Sequence, residues 1–167
     1  MRKFTLVYLG FMFIIGFMFI VFTAAVREEN PIKVEAWITP KRLYRGQSGK
    51  VTLKIRVKKG LAVSPQPSFI IEFSPSQEVI LPKNFFTASD LEIKTLEKNG
   101  EEYLDFKDPI EIPFTISLEA KRGNHLLEGK IKYFACSLQE AWCLKSSANF
   151  KASFYTRRTA IKKKSKS

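Results

Sequence analysis

Two cysteines are the residues of this chain whose types and spacing could do chemistry. Cys136 and Cys143 are the only two cysteines among 167 residues, and six residues separate them. The spacing differs from the Cys-x-x-Cys of thioredoxins, and a zinc ribbon would need two more ligands. Two interpretations remain open. The pair is either a structural disulfide or a site of thiol–disulfide exchange with a partner protein.

The residues on either side of the cysteines predict how they are positioned. Apolar and polar residues alternate there, as in β-strands with one wet face. A hairpin with Cys136 opposite Cys143 also brings inward-facing residues together: Tyr133 with Ser146, Ile131 with Ala148, and Gly129 with Phe150. Directly opposed residues are close enough for a disulfide. By the same alternation both cysteines point away from the main core, towards solvent or a covering loop. Gln139 and Glu140 make a poor two-residue turn, so we expect a wider connection.

Three aromatic residues flank the cysteines in sequence: Tyr133, Phe134 and Trp142. We predict that they shield the pair or offer a docking surface, with core packing as the open alternative. We expect no cofactor and no metal site. The single histidine, His125, falls in a predicted turn, and there is no glycine-rich phosphate loop, HExxH or GxSxG motif.

Alternation with a period of two dominates the chain from Ile32 onward, and no long helical period appears. The clearest stretches are 51–57, 110–118 and 148–154. Pro113 lies inside the second of these stretches, which predicts a strand edge or a bulge there. About seven to nine short strands separated by turn signals predict an all-β, immunoglobulin-like antiparallel β-sandwich.

The strand register of one further hairpin can be predicted from the sequence. Asn99 and Gly100 form the dipeptide favoured in a two-residue hairpin turn. Pairing outward from it gives the following partners: Lys98 with Glu101, Glu97 with Glu102, Leu96 with Tyr103, Thr95 with Leu104, Lys94 with Asp105, Ile93 with Phe106 and Glu92 with Lys107. This register puts three opposite-charge pairs on one face of the hairpin, where they stabilise the pairing.

An uncharged and mostly apolar run at 4–26 follows Arg2 and Lys3. A membrane-spanning helix needs about 20 residues, whereas the core of a signal peptide has about 7 to 15. We therefore predict a transmembrane anchor at 1–26, with a cleaved signal peptide as the alternative. The charges in front of the run place the N-terminus in the cytoplasm and the rest of the chain outside.

Both alternatives export the folded part, so we expect a single-pass protein of a bacterial inner membrane with its domain facing the periplasm, or a periplasmic protein after cleavage. Lasting disulfides form in that compartment. The net charge is +12, but six basic residues lie within 157–167. This distribution predicts a basic disordered tail at 157–167 after a domain at 30–156, and it argues against a nucleic-acid partner.

The segment 127–154 carries Gly129-x-Ile131-x-Tyr133-x-x-Cys136-x6-Cys143 followed by an alternating strand. Upstream, Val57-x-x-Gly60 leads through Pro65-x-Pro67 into the apolar run 69–73. Across about 34–154 the chain thus resembles the N-terminal periplasmic domain of the DsbD family of thiol:disulfide interchange proteins. The resemblance implies an immunoglobulin-like fold and a cysteine pair that relays reducing equivalents.

The resemblance also implies roles for individual residues and partners. Cys136 and Cys143 become the exchanging pair, and Cys143 becomes the sulfur that attacks oxidised substrate. The expected partners are a membrane-embedded thiol reductase or a thioredoxin-like protein on one side and oxidised envelope proteins on the other. The family caps its disulfide with an aromatic residue, for which Phe85, Phe86 and the segment 61–67 are the possible counterparts here.

Overall fold

Twelve β-strands lie within the part of the chain that the computed structural model describes, residues 30–98, 100–140 and 142–157. In chain order they are β1 (Ile32–Thr39), β2 (Arg42–Tyr44), β3 (Ser48–Val57), β4 (Leu61–Ser64), β5 (Ile70–Phe73), β6 (Val79–Ile80), β7 (Phe85–Thr87), β8 (Thr95–Lys98), β9 (Glu101–Leu104), β10 (Ile110–Ile116), β11 (Gly123–Ser137) and β12 (Cys143–Arg157). The prediction of seven to nine strands missed several pieces of two to four residues, because these are defined by their partners and are too short to show a period.

The strands form two main sheets and one separate hairpin. One sheet has the order β1-β3-β10-β6, and the other has the order β2-β12-β11-β5-β7, with β4 also paired to β11. Neighbouring strands are antiparallel except for β2, which runs parallel to β12. One hydrophobic cluster takes inward residues from both main sheets, and Phe114 of β10 meets Phe154 of β12 with ring centroids 6.1 Å apart. The predicted all-β sandwich of antiparallel sheets is thereby confirmed.

Pro113 lies where the sequence predicts a strand edge. It pairs with Lys50 of β3, whereas β6 pairs with β10 only at Thr115 and Ile116. β6 therefore does not pair with the part of β10 where Pro113 has no N–H group to donate.

The hairpin β8–β9 has the predicted register at its turn end. Thr95 pairs with Leu104, and Leu96 pairs with Tyr103. One further hydrogen bond, from the Asp105 N–H to the Lys94 carbonyl at 2.8 Å, extends this register. The predicted pair of Glu92 with Lys107 does not form. Glu92 has a left-handed φ of 50°, and the Lys107 ammonium lies 3.5 Å from the Asp105 carboxylate instead.

Two of the sequence predictions lie outside the described residues. They are the membrane anchor at 1–26 and all of the basic tail except its first residue. Arg157 belongs to β12, and its guanidinium donates a hydrogen bond of 3.1 Å to the Tyr44 hydroxyl. Within the described ranges we find no helix of the length and apolarity that crossing a membrane requires.

Candidate functional site: the Cys136–Cys143 disulfide

The two longest strands, β11 and β12, carry the cysteines at the end where the chain turns from one strand into the other. Cys136 pairs with Cys143, and the predicted partners follow in register: Tyr133 with Ser146, Ile131 with Ala148, and Gly129 with Phe150. The two sulfur atoms are bonded at 2.03 Å, and the Cα atoms lie 4.0 Å apart. The predicted disulfide and its hairpin register are confirmed.

The turn between the strands is wider than two residues, as expected. The Ser137 N–H donates to the Trp142 carbonyl at 3.0 Å, so this pair is hydrogen-bonded. Cys136 and Cys143 are therefore a non-hydrogen-bonded pair, the kind in which side chains lie closest. The Ser137 hydroxyl accepts hydrogen bonds from the N–H groups of Gln139 and Glu140 at 3.3 and 3.0 Å, which fixes the tip of the hairpin.

The two sulfur-bearing residues have very different surroundings. Cys136 is 2% exposed, because β11 is an inner strand and Ala62 of β4 pairs with Cys136 on the side away from Cys143. Cys143 is exposed at the start of β12, and on the outer edge of that strand β2 pairs only with Tyr155–Arg157. Both cysteines point away from the main core, as predicted, but only Cys136 is covered.

Tyr103 of β9 belongs to the group of residues that buries Cys136. The two residues form a small cluster with Ala62, separate from the main core, and Leu138 packs against it. Tyr103 is 7% exposed, and its successor Leu104 points the other way into the main core. Leu104 thus anchors the hairpin β8–β9, which holds Tyr103 over Cys136.

The hydroxyl of Tyr103 donates a hydrogen bond to the Glu101 carboxylate. This hydrogen bond, together with burial of the ring, raises the pKa of Tyr103. The phenol is therefore neutral at physiological pH, and it presents an uncharged ring to Cys136. An uncharged, desolvating cover disfavours a charged sulfur beneath it.

Sequence reasoning did not identify Tyr103, although one signal was present. Leu96 and Tyr103 are an apolar pair in the middle of an otherwise charged face of the β8–β9 hairpin. The possible counterparts of the aromatic cap that the DsbD family carries lie in different surroundings. Segment 61–67 contributes Ala62, whereas Phe86 packs edge-to-face on Phe73 in the main core and Phe85 is exposed.

The three aromatic residues predicted to shield the disulfide are not brought together. Tyr133 is 1% exposed within the main core, on the face of β11 opposite to Cys136. Phe134 is half-buried and shares the outer face with Cys136. Trp142 is 43% exposed, and its indole N–H donates to the Glu140 carboxylate at 2.7 Å. Only Phe134 and Trp142 thus remain available to a partner near the disulfide.

Removal of the Tyr103 ring should expose the Cys136 sulfur. In a chain that also carries Cys143→Ser, we expect Tyr103→Ala to raise the rate of Cys136 alkylation by iodoacetamide about tenfold, because reagent access and thiolate solvation both increase. Tyr103→Phe is the matched control, since it keeps the ring and removes only the hydroxyl. Equal rates in the Ala and Phe variants would show that the ring does not limit access.

In the described portion of the chain, no three His, Cys, Asp or Glu side chains lie close enough together to hold a metal ion.

Comparisons with known proteins assign no family. No family model matches the chain, and no curated protein matches it. Similar solved structures include a conjugative transposon lipoprotein from Bacteroides eggerthii, with 12% identity, a TM-score of 0.37, and coverage of 75% of this chain and 98% of that one. A cohesin module of a family 33 glycoside hydrolase from Clostridium perfringens has 9% identity and a TM-score of 0.38, covering 77% of this chain and all of the module. The pilin BcpA of Bacillus cereus has 8% identity and a TM-score of 0.39, covering 74% of this chain and 40% of the pilin. Similarity at this level assigns no function.

Proposed function

We propose that the Cys136–Cys143 pair exchanges disulfides with partner proteins outside the cytoplasm and relays reducing equivalents to oxidised envelope proteins. The observation that carries this proposal is the unequal exposure of the two cysteines. A partner thiolate must approach one sulfur directly along the disulfide axis, and Cys143 is exposed whereas Cys136 is covered. A bond with one accessible sulfur offers a defined point of attack.

The reductive half of the reaction begins at Cys143. A thiolate of a reduced dithiol partner attacks the Cys143 sulfur, the bond to Cys136 breaks, and Cys136 leaves with the electron pair and takes up a proton. The second thiol of the partner loses its proton and attacks the partner's own sulfur in the mixed disulfide, which releases Cys143 as a thiolate. The partner is oxidised by two electrons, and the pair is reduced by two.

The oxidative half runs in the reverse sense with a different partner. The Cys143 thiolate attacks a disulfide of an oxidised envelope protein and forms a mixed disulfide with one of its sulfurs. Cys136 then loses its proton and attacks Cys143, which restores the bond and leaves the envelope protein reduced. Cys136 acts only within the chain in this scheme, which suits a sulfur held beneath Tyr103.

The resemblance to the DsbD family supports a role for this chemistry in an immunoglobulin-like domain at the outer face of a bacterial inner membrane. The reductant in this scheme is a membrane-embedded thiol reductase or a thioredoxin-like protein. The apolar run at 4–26 supports membrane attachment of the domain.

Two measurements test the proposal. Equilibration with glutathione buffers should give a reduction potential above about −300 mV, because exchanging disulfides are more oxidising than structural ones. Expressed in its host, the chain with Cys136→Ser should accumulate mixed disulfides through Cys143, whereas Cys143→Ser should accumulate almost none. A potential below that value together with no trapped species in either variant would contradict the proposal.

An inert disulfide in a membrane-anchored binding module is the second candidate function. The burial of Cys136 and its position between two neighbouring strands favour it, because a structural bond is protected in this way. Such a module would bind envelope proteins through its exposed strand edges. The same potential measurement separates the two functions.

A further inference from the structure

An exposed surface lies beside the disulfide at the tip of the β11–β12 hairpin. It combines apolar side chains with lysines, and we define it by five residues: Lys59, Leu61, Trp142, Leu144 and Lys145. Trp142 is 43% exposed and Leu144 is 51% exposed. We propose that this tip surface rests on an anionic lipid bilayer.

The apolar residues of the tip surface are exposed because of their position along β12. Leu144 pairs with Ala135 and lies on the face of β12 that further along carries buried Ala148 and Phe150. At the tip, this face borders a shallow groove whose other wall is Pro31 and the turn before β4. The sandwich leaves Leu144 uncovered there, and an outside surface can bury it.

The chain enters the described domain at the rim of the same surface. Asn30 and Pro31 line the groove together with Trp142 and Leu144. Upstream, the uncharged apolar run ends at Val26, so that only three residues lie between the run and Asn30. Four peptide units span at most about 14 Å. With the run in the bilayer, as the sequence predicts, the tip surface is held next to the headgroups.

The composition of the surface suits the headgroup layer. Tryptophan prefers this layer because its ring is apolar and its indole N–H is polar, and a leucine beside it inserts more deeply. Two lysines, Lys59 and Lys145, line the groove together with the carboxylate of Glu140. Each lysine close to an anionic membrane strengthens the binding. Lys59 and Lys145 are the charges through which this surface would bind an anionic bilayer.

This contact goes beyond the proposed function and does not depend on it. It would hold Cys143, which lies between Trp142 and Leu144 in the chain, close to the membrane surface. The contact itself involves no thiol chemistry, so it can be tested separately.

The full chain, reconstituted in vesicles that contain phosphatidylglycerol and brominated phosphatidylcholine, supplies the test. The protein has two tryptophans, and Trp37, which is 37% exposed on β1, is the matched control. It lies roughly 20 Å along β1 from the tip. We expect brominated lipid to quench Trp142 in the Trp37→Phe variant at least about threefold more than it quenches Trp37 in the Trp142→Phe variant. Equal quenching of the two tryptophans would overturn the proposal.

Charge reversal at Lys59 and Lys145 tests whether the tip surface binds an anionic bilayer. In the Trp37→Phe chain, the added pair Lys59→Glu and Lys145→Glu should reduce the quenching of Trp142 by at least about half in anionic vesicles. Unchanged quenching would overturn the anionic bilayer as the partner. A blue shift of Trp142 emission that rises with protein concentration in lipid-free detergent would assign the surface to a second copy of the chain and would equally overturn the proposal.

Discussion

A chain carrying Cys136→Ser should react with 5,5′-dithiobis(2-nitrobenzoate) about 100-fold faster than a chain carrying Cys143→Ser, since thiol reactivity follows exposure and thiolate solvation. The first variant leaves the exposed Cys143 as its only thiol, and the second leaves Cys136, which is 2% exposed beneath Tyr103. Stopped-flow absorbance of the released nitrothiobenzoate gives both rates.

Unfolding supplies the control for this comparison. In concentrated urea the two variants should react at similar rates, because both thiols are then in water and the remaining difference reflects only sequence neighbours. Native rates within a factor of about three of each other would contradict the asymmetry on which the exchange mechanism depends.

Gly129→Ala should destabilise the domain by about 3 kcal/mol and lower the urea midpoint of unfolding by at least about 1 M. A Cβ atom at this position would overlap the ring of Phe150 and would lie 2.7 Å from the carbonyl oxygen of Glu72. The ring cannot move freely, because Phe150 also packs edge-to-face on Phe73 with centroids 5.5 Å apart. The backbone of β5 would have to shift as well.

Lys130→Ala is the matched variant for this measurement, since Lys130 is the exposed neighbour of Gly129 on the same strand. We expect it to change the free energy of unfolding by less than about 0.5 kcal/mol. If both variants unfolded at the same urea concentration, the close approach of Phe150 to the backbone of β11 would not limit stability.

The parts of the fold that could be predicted are those encoded by neighbouring residues. The register of the β11–β12 hairpin follows from alternation on both sides of the cysteines, and a slip of one residue would turn the apolar residues to the wrong face. The β8–β9 register follows from Asn99 and Gly100 for the same reason, although Asn99 itself lies outside the described residues. The predicted pairing ends where Glu92 adopts a left-handed conformation, because the turn dipeptide does not determine the backbone conformation that far along the strand.

The cover over Cys136 could not be predicted, because it depends on contacts distant in sequence. Tyr103 lies 33 positions before Cys136, and it joins the Cys136 cluster from a hairpin whose Leu104 packs in the main core. Phe86 illustrates the opposite error. Its aromatic character fits a cap, yet its pairing with Ile71 of β5 commits it to the main core.

The length of the β11–β12 ladder has a consequence for how partners could tell the two redox forms apart. Cys136 and Cys143 are the last of fourteen cross-strand pairs, and β11 is further tied to β4 and β5. Opening the sulfur bond removes one covalent link at the end of an interface that backbone hydrogen bonds already maintain. The oxidised and reduced proteins should therefore have nearly the same backbone, and a partner would have to distinguish them by the reactivity of Cys143 itself.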